Sequence, residues 1–274
     1  MTDRYAVVGN PIGHSKSPVI HQAFAEETGQ DISYVAIESP LGGFAATVGA
    51  FRRVGGRGLN ITAPFKLDAR AYATELTERA RMAGAVNAMK FEGERVFGDN
   101  YDGVGLVNDI ERNLGFAMRE KRILVLGAGG AARGAILPFL EREPASLTVA
   151  NRNLAKVETL VNKFSPYGRL RAIGYEQLAS TPPFDLVVNA TSASWHGELP
   201  PIPESSFSKS GLAYELVYGK GLTPFLRLAH SSGCGRLADG VGMLVEQAAE
   251  AFAWWRGVRP ETAPLIARLT IPLV

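Results

Sequence analysis

Cysteine is nearly missing from this chain of 274 residues: Cys234 stands alone, which excludes an intramolecular disulfide framework. No CxxC or HExxH spacing occurs, so no metal site is expected. A reducing compartment fits, and a cytoplasmic location is the expectation. Long apolar runs are missing too. No stretch approaches the roughly 18 to 20 residues of a membrane span, and Met1 to Val8 lacks the apolar core of a signal peptide. Neither sign of charge dominates: 29 Lys and Arg against 27 Asp and Glu leave a net charge of +2. These charges are interspersed rather than gathered into a basic stripe, which argues against a nucleic-acid partner. Small molecules are the partners to look for.

What is present is ordinary for a folded protein. The chain is 46% hydrophobic and 20% charged, with mean hydropathy +0.02. Its length predicts two domains of unequal size. Tyr5 to Val8 reads as a strand ended by Gly9-Asn10-Pro11. Ser17-Pro18 reads as an N-cap with proline at the first helical position, opening a helix that Gly29 stops. Ser33 to Ile37 and Gly58 to Thr62 read as strands around a helix from Phe44 to Val54. Leu67 to Thr74 and Thr77 to Ala83 are helical in pattern. Ala85 to Phe91 and Arg95 to Gly98 flank a Glu92-Gly93-Glu94 turn, as a hairpin does. Gly103 to Leu114 reads as a helix closed by Gly115, and the charged stretch Phe116 to Lys121 as a boundary.

Beyond that boundary strands and helices alternate. Ile123 to Leu126, Thr148 to Ala150, Leu170 to Ile173, Leu186 to Asn189 and Leu212 to Val217 are the strands, and such alternation implies a mostly parallel sheet covered on both faces. Met243 to Trp255 forms a strong amphipathic helix after this unit is complete.

The first strand of that unit runs into Gly127-Ala128-Gly129-Gly130-Ala131-Ala132, with a helix following to Leu140. This is G-x-G-x-x-A in a strand-turn-helix setting, the fingerprint of a Rossmann-type dinucleotide domain. Gly127 permits the tight turn, Gly129 lets the backbone approach a pyrophosphate, and Ala132 allows close packing of helix on sheet. About 20 residues on, where an NAD site carries an acid for the ribose 2′-hydroxyl, stand Asn151 and Arg152. Arg152, with Asn151 alongside and Lys156 one turn further, suits a 2′-phosphate, so NADP(H) is the expected cofactor. Thr191 and Asn189, at the end of a later strand, are candidates either for contact with the cofactor or for capping the next element.

In the first part of the chain, polar residues cluster at strand ends and loops. They are Asn10-Pro11 with His14-Ser15-Lys16-Ser17, then Asn60 to Lys66, then Asn87, then Asp99-Asn100-Tyr101-Asp102. Hydroxyls at Ser15 and Ser17 beside helix-start amides suit a carboxylate, whereas Asn, Asp and Lys suit a polyol. Each cluster alone also reads as turn chemistry, but Lys66 and Asp102, 36 residues apart, could meet as a proton-transfer pair.

These motifs, in this order, resemble those of the bacterial biosynthetic shikimate dehydrogenases. The likeness is carried by Gly9 to Pro18, Asn60 to Lys66, Gly84 to Asn87, Gly98 to Gly103, Gly127 to Ala132, Asn151-Arg152, Asn189 to Ser192 and Ala238 to Leu244. It implies an α/β fold of two domains with a cleft between them. One is a Rossmann-type NADP-binding domain, residues 103–240; the other is a discontinuous substrate-binding domain, residues 1–102 and 241–274. It implies NADPH-dependent interconversion of 3-dehydroshikimate and shikimate by a monomer or homodimer. It also implies roles. Ser15 and Ser17 would hold the substrate carboxylate; Asn60, Thr62, Asn87 and Asp102 the ring hydroxyls. Lys66 and Asp102 would be the catalytic pair, and Tyr218 and Gln247 would reach the substrate from the far side. Gly127, Ala128, Gly129, Gly130, Ala131, Asn151, Arg152, Lys156 and Thr191 would serve the cofactor, with Leu216 and Gly240 lining the nicotinamide and Glu78 at a further cofactor position.

Three positions depart from the family pattern. Ala63 stands where valine is common, Ala88 where threonine is common, and Tyr101 replaces the usual threonine between Asn100 and Asp102. Only Tyr101 is expected to matter, by packing on the cleft wall or altering how its loop closes.

Reduction of a ketone needs hydride at carbon and a proton at oxygen. Lysine is an ammonium at neutral pH, so Lys66 starts as the donor in the reducing direction. The histidines are weaker candidates: His14 is read as ordering its turn, and His21, His196 and His230 as structural. Two rivals remain on the residues alone, a quinate/shikimate dehydrogenase with NAD tolerance and a non-catalytic NADP sensor. Arg152 argues against the first, and the joint presence of Lys66 and Asp102 against the second.

Overall fold

The computed structural model describes residues 2–273, the side chain of Trp195 excepted. Chain order begins β1 (Asp3–Gly9), α1 (Ser17–Thr28), β2 (Ile32–Glu38), α2 (Phe44–Arg53), β3 (Gly56–Ile61) and α3 (Lys66–Tyr72). It continues β4 (Glu75–Leu76), α4 (Glu78–Ala83), β5 (Ala88–Glu92), β6 (Arg95–Asp99) and α5 (Asp102–Asn108). The second half runs β7 (Arg122–Leu126), α6 (Gly130–Leu140), β8 (Ser146–Ala150), α7 (Leu154–Phe164), β9 (Leu170–Ile173), β10 (Phe184–Asn189) and β11 (Phe207–Glu215). Then come α8 (Pro224–Ser231), β12 (Arg236–Ala238), α9 (Val241–Arg256) and α10 (Ala263–Leu269).

The chain divides into two compact units, Met1–Gly105 with Val245–Ala267, and Leu106–Leu244 with Arg268–Val274. The family resemblance puts the joints at 102/103 and 240/241 and the sequence pattern a boundary at Phe116 to Lys121, whereas the units part inside α5 and α9. A hydrogen-bonded helix carries the chain across without a break in its side-chain pattern. The tail also differs from the expectation: Arg268–Val274 goes with the second unit, where Leu273 packs against the core.

The first unit is built on a mixed sheet, ordered β2-β1-β3-β5-β6-β4. β1 pairs in parallel with β2 and β3, while β5 runs antiparallel to both β3 and β6. Its core gathers Val8, Val48, Leu59, Ile61, Val86 and Met89, all at most 3% exposed. The fully parallel sheet expected beyond residue 121 is in the second unit, ordered β12-β11-β10-β7-β8-β9. Strand order reverses between β7 and β10, as in a dinucleotide-binding sheet, and a ligand crevice opens at the carboxyl ends there.

Local readings differ at several places. Ser17 is not the cap of α1: Lys16 is, with helical backbone angles and its carbonyl accepting Ile20 N–H at 3.0 Å, which draws Ser17 inside the first turn. The helix expected from Gly103 to Leu114 ends as α at Asn108 and continues as one wide turn, with Leu114 N–H on the Asp109 carbonyl at 2.9 Å. β4 and β12, two and three residues long, are too short for any periodicity to announce them. Among the described residues, no helix is long and apolar enough to cross a membrane.

Candidate active site

The parallel pairing of β1 with β3, and the antiparallel pairing of β3 with β5, bring the carboxyl ends of β1 and β3 beside the start of β5. Asn60 is the second-last residue of β3, and Thr62 follows the strand with its N–H on the Val8 carbonyl at 3.0 Å. Phe65, buried at 2%, then caps α3 and starts the helix at Lys66. The Lys66 carbonyl accepts Val86 N–H at 3.0 Å, which ties the helix start to the segment leading into Asn87.

Lys66 and Asp102 meet. Nζ donates to Asp102 Oδ2 at 2.6 Å, with the lysine side chain 30% and the aspartate 9% exposed. Asn87 donates to the other oxygen, Oδ1, at 2.7 Å, and to Gln247 Oε1 at 3.4 Å. Asn87 Oδ1 accepts Tyr101 N–H at 2.9 Å, so one buried carboxamide holds Asp102 and the backbone before it. Asn100 adds to this, its Oδ1 accepting Asp102 N–H at 3.1 Å while its amide donates to the Ala85 carbonyl. Asn60 contacts the Asn87 carbonyl at 3.5 Å. Ser17 is buried, with its N–H on Ser15 Oγ at 3.3 Å, and Ser15 and Thr62 are half-buried. Glu78, at the start of α4, is exposed.

Tyr101 turns away from the chemistry. It is 5% exposed, with the Arg79 guanidinium 5.2 Å over its ring and Trp254 edge-on at 6.0 Å. Arg79 in turn grips Asp99 at 2.7 Å. The bulky phenol therefore serves as a packing wall, and the loop still delivers Asp102 in register.

In the second unit the glycine turn fits a dinucleotide. Gly127 has φ +98°, a conformation reserved for glycine, and its missing Cβ would lie 3.2 Å from the Ala190 carbonyl and from Thr191. Gly129 caps α6 without any side chain on its N–H groups, and a Cβ on Gly129 or Gly130 would meet nothing within 4 Å. The helix start is thus uncapped by side chains and open around its two glycines, the arrangement a pyrophosphate needs. Ala128 and Ala131 are half-buried beside them, and Ala132 is fully buried against the sheet. At the end of β8, Arg152 and Lys156 are exposed; Asn151 spends its amide on the Asn153 carbonyl at 2.9 Å, shaping the turn. No carboxylate stands between Asn151 and Lys156. Tyr218 belongs to this unit, and burial raises its phenol above the usual range.

Two contributors escape sequence reasoning. Glu215 is fully buried at the end of β11, where its carboxylate accepts from Asn189 at 2.9 Å, Thr223 at 3.2 Å, Val217 N–H at 3.2 Å and the Ser194 hydroxyl. Asn189 passes this on to Thr191, whose N–H and hydroxyl both donate to Asn189 Oδ1. One acid thus knits the loops after β10 and β11, and its pKa is raised by burial against those donors. A lone glutamate in the apolar run Leu212 to Val217 was the available signal. The backbones of Leu216 and Gly240 pack so closely that a Cβ on Gly240 would lie 2.2 Å from the Leu216 carbonyl oxygen. The other contributor is Tyr34, whose hydroxyl donates to Asn60 Oδ1 at 2.7 Å.

A Rossmann-type unit with a glycine turn and no ribose-binding acid, joined to a unit carrying a lysine–aspartate pair, defines a nucleotide-dependent dehydrogenase of two-unit α/β architecture. Family models agree in detail. Residues 7–89 match the shikimate dehydrogenase substrate binding domain, residues 109–196 shikimate/quinate 5-dehydrogenase, and residues 240–270 the shikimate 5′-dehydrogenase C-terminal domain. The chain is 55% identical over 269 residues to the shikimate dehydrogenase (NADP(+)) of Nitrosospira multiformis, covering 98% of each. Among solved structures, an Ael1 enzyme from Pseudomonas putida matches with TM-score 0.97 at 57% identity over all of both chains. The shikimate 5-dehydrogenase of Thermus thermophilus, solved with NADP(H) and shikimate, matches with TM-score 0.86 at 32% identity, covering 97% of this chain and 98% of that one. The chain belongs to the shikimate dehydrogenase family.

Proposed function

We propose that this chain catalyses the reversible NADP-dependent interconversion of 3-dehydroshikimate and shikimate, with Lys66 and Asp102 as its proton-handling pair. Membership of the family supports the reaction. The observation that carries the residue assignment is the 2.6 Å contact between Lys66 and Asp102 with Asn87 on the remaining oxygen. A lysine held by a carboxylate has its ammonium aimed, and 30% exposure leaves room for a ligand beside it.

In the reducing direction Lys66 donates its proton from Nζ to the ketone oxygen; in the oxidising direction it accepts one from the hydroxyl. Asp102 orients that amine and takes a ring hydroxyl. Ser15 and Ser17 bind the carboxylate, while Asn60, Thr62 and Asn87 bind ring hydroxyls, with Tyr218 and Gln247 as further substrate contacts. The glycine turn from Gly127 to Ala131 receives the pyrophosphate of NADP(H), Arg152 with Asn151 and Lys156 the 2′-phosphate, and Thr191, Leu216, Gly240 and Glu78 complete the cofactor contacts. Bound NADP(H) supplies or takes the hydride. The reading extends to a cytoplasmic enzyme acting as a monomer or homodimer.

Purified protein assayed with shikimate or quinate against NADP or NAD tests this directly. Turnover is expected with shikimate and NADP above the other three pairs. No turnover with that pair overturns the reading.

A further inference from the structure

A carboxamide offers a ligand two opposite chemistries, an NH2 donor or a carbonyl acceptor, and whatever fixes the amide decides which one is presented. Asn60 is fixed from two sides. The Asn87 backbone carbonyl, which can only accept, lies 3.5 Å from Nδ2. That leaves Oδ1 for the Tyr34 hydroxyl, which donates to it at 2.7 Å.

Tyr34 is held firmly enough to impose this choice. It lies in β2, 8% exposed, with its ring stacked on His21 at 4.1 Å and 7° and flanked by Trp255 at 6.5 Å. Burial lowers the His21 imidazole pKa to about 3, against an opposing interaction with the Asn60 side chain, so His21 is a neutral ring packed beside Tyr34 and Asn60. Burial also pushes the Tyr34 phenol well above its usual range, the Ser17 hydroxyl pulling the other way. The phenol therefore keeps its proton at neutral pH and can donate it to Asn60.

We propose that Tyr34 is a positioning residue that fixes the Asn60 amide with one Nδ2 proton left to donate, so that an oxygen acceptor on the substrate is the group that pairs with it. This rests on the reading of shikimate as substrate. A hydroxyl or keto oxygen satisfies the second Nδ2 proton; a bare ring carbon or an ammonium leaves it unpaired. Tyr34 acts on the substrate through Asn60, and its hydroxyl also neighbours that of Ser17.

Calorimetric titration with shikimate, alongside steady-state kinetics, tests this on wild type, Tyr34→Phe, Asn60→Ala and the double variant. Tyr34→Phe should weaken shikimate binding by about 10-fold, the effect of one hydrogen bond, with kcat within about threefold of wild type. In the Asn60→Ala background the same change should have a clearly smaller effect, limited to what Tyr34 does through Ser17, whereas general loosening of the core would weaken both backgrounds alike. Unchanged binding in Tyr34→Phe, or equal losses in both backgrounds, overturns the proposal while leaving the functional reading intact. Wild type that fails to bind shikimate overturns both. Should Tyr34→Phe show no melting transition, Asn60→Asp makes the comparison: it still accepts the Tyr34 hydroxyl but offers no donor. Its shikimate binding should fall at least as far as in Asn60→Ala, and binding equal to wild type overturns the proposal.

Discussion

Asn87 holds Asp102 through the one carboxylate oxygen that Lys66 does not use: its amide donates to Oδ1 at 2.7 Å while the lysine donates to Oδ2 at 2.6 Å. The aspartate can therefore neither rotate nor drift without breaking a charge-assisted hydrogen bond. Asn87 is itself locked by the Tyr101 N–H on its Oδ1, so the pair inherits the rigidity of the sheet.

Removing Asn87 should cost both stability and turnover. Asn87→Ala leaves Asp102 Oδ1 and the Tyr101 N–H without their partners, at about 1 to 3 kcal/mol for buried groups. Urea denaturation should report that loss, and kcat should drop by roughly 10-fold or more as the pair loosens. A variant with wild-type stability and kcat would show that Asp102 is held by other means.

Lys66→Ala should reduce kcat by roughly 100-fold or more with a modest change in KM, since a proton donor acts mainly in the transition state. Steady-state kinetics in both directions check this. A large rise in KM at near-normal kcat would make Lys66 a binding residue instead.

Arg152→Ala should lower the preference for NADPH over NADH by about 10- to 100-fold, the worth of charged hydrogen bonds to a 2′-phosphate. The ratio of kcat/KM for the two cofactors measures it. An unchanged ratio removes Arg152 from the cofactor site.

His21 makes the fold acid-sensitive. The unfolded chain takes up the imidazole proton near pH 6.5, while the buried ring refuses it until about 3. Its contribution to stability is thus full above the unfolded value and is lost as pH falls toward the folded one, at roughly 1.4 kcal/mol per pH unit in between. His21→Phe keeps a ring to stack on Tyr34 and removes this slope. Between pH 6.5 and 5, wild type should lose roughly 2 kcal/mol more than the variant in urea denaturation. Parallel pH profiles would show that the histidine is not protonated on unfolding.

The strands and helices at the start of the chain and from Lys121 onward were legible because their side chains repeat with a clear period over several residues. β4 and β12 were not, being shorter than one informative repeat. Ser17 as a cap misled because its hydroxyl is the right chemistry one residue too late, and only the Ile20 N–H on the Lys16 carbonyl shows where the helix begins. The joints at 102/103 and 240/241 fall within motifs of the family, whereas the packing units end inside the helices that those motifs open.

Features that depend on consecutive residues could be read without coordinates. A glycine at the tight turn between a strand and a helix, and an arginine where an acid would stand, are local facts of chain and chemistry. Pairing was different. Lys66 and Asp102 lie 36 residues apart, Asn87 and Asp102 15, and Asn87 and Gln247 160, so their contacts exist only through strand order and register. Direction was hidden most completely. That Asn60 turns its oxygen to Tyr34, and that Glu215 gathers four donors in the interior, follow from which groups burial leaves unpaired, and burial is a property of the folded whole.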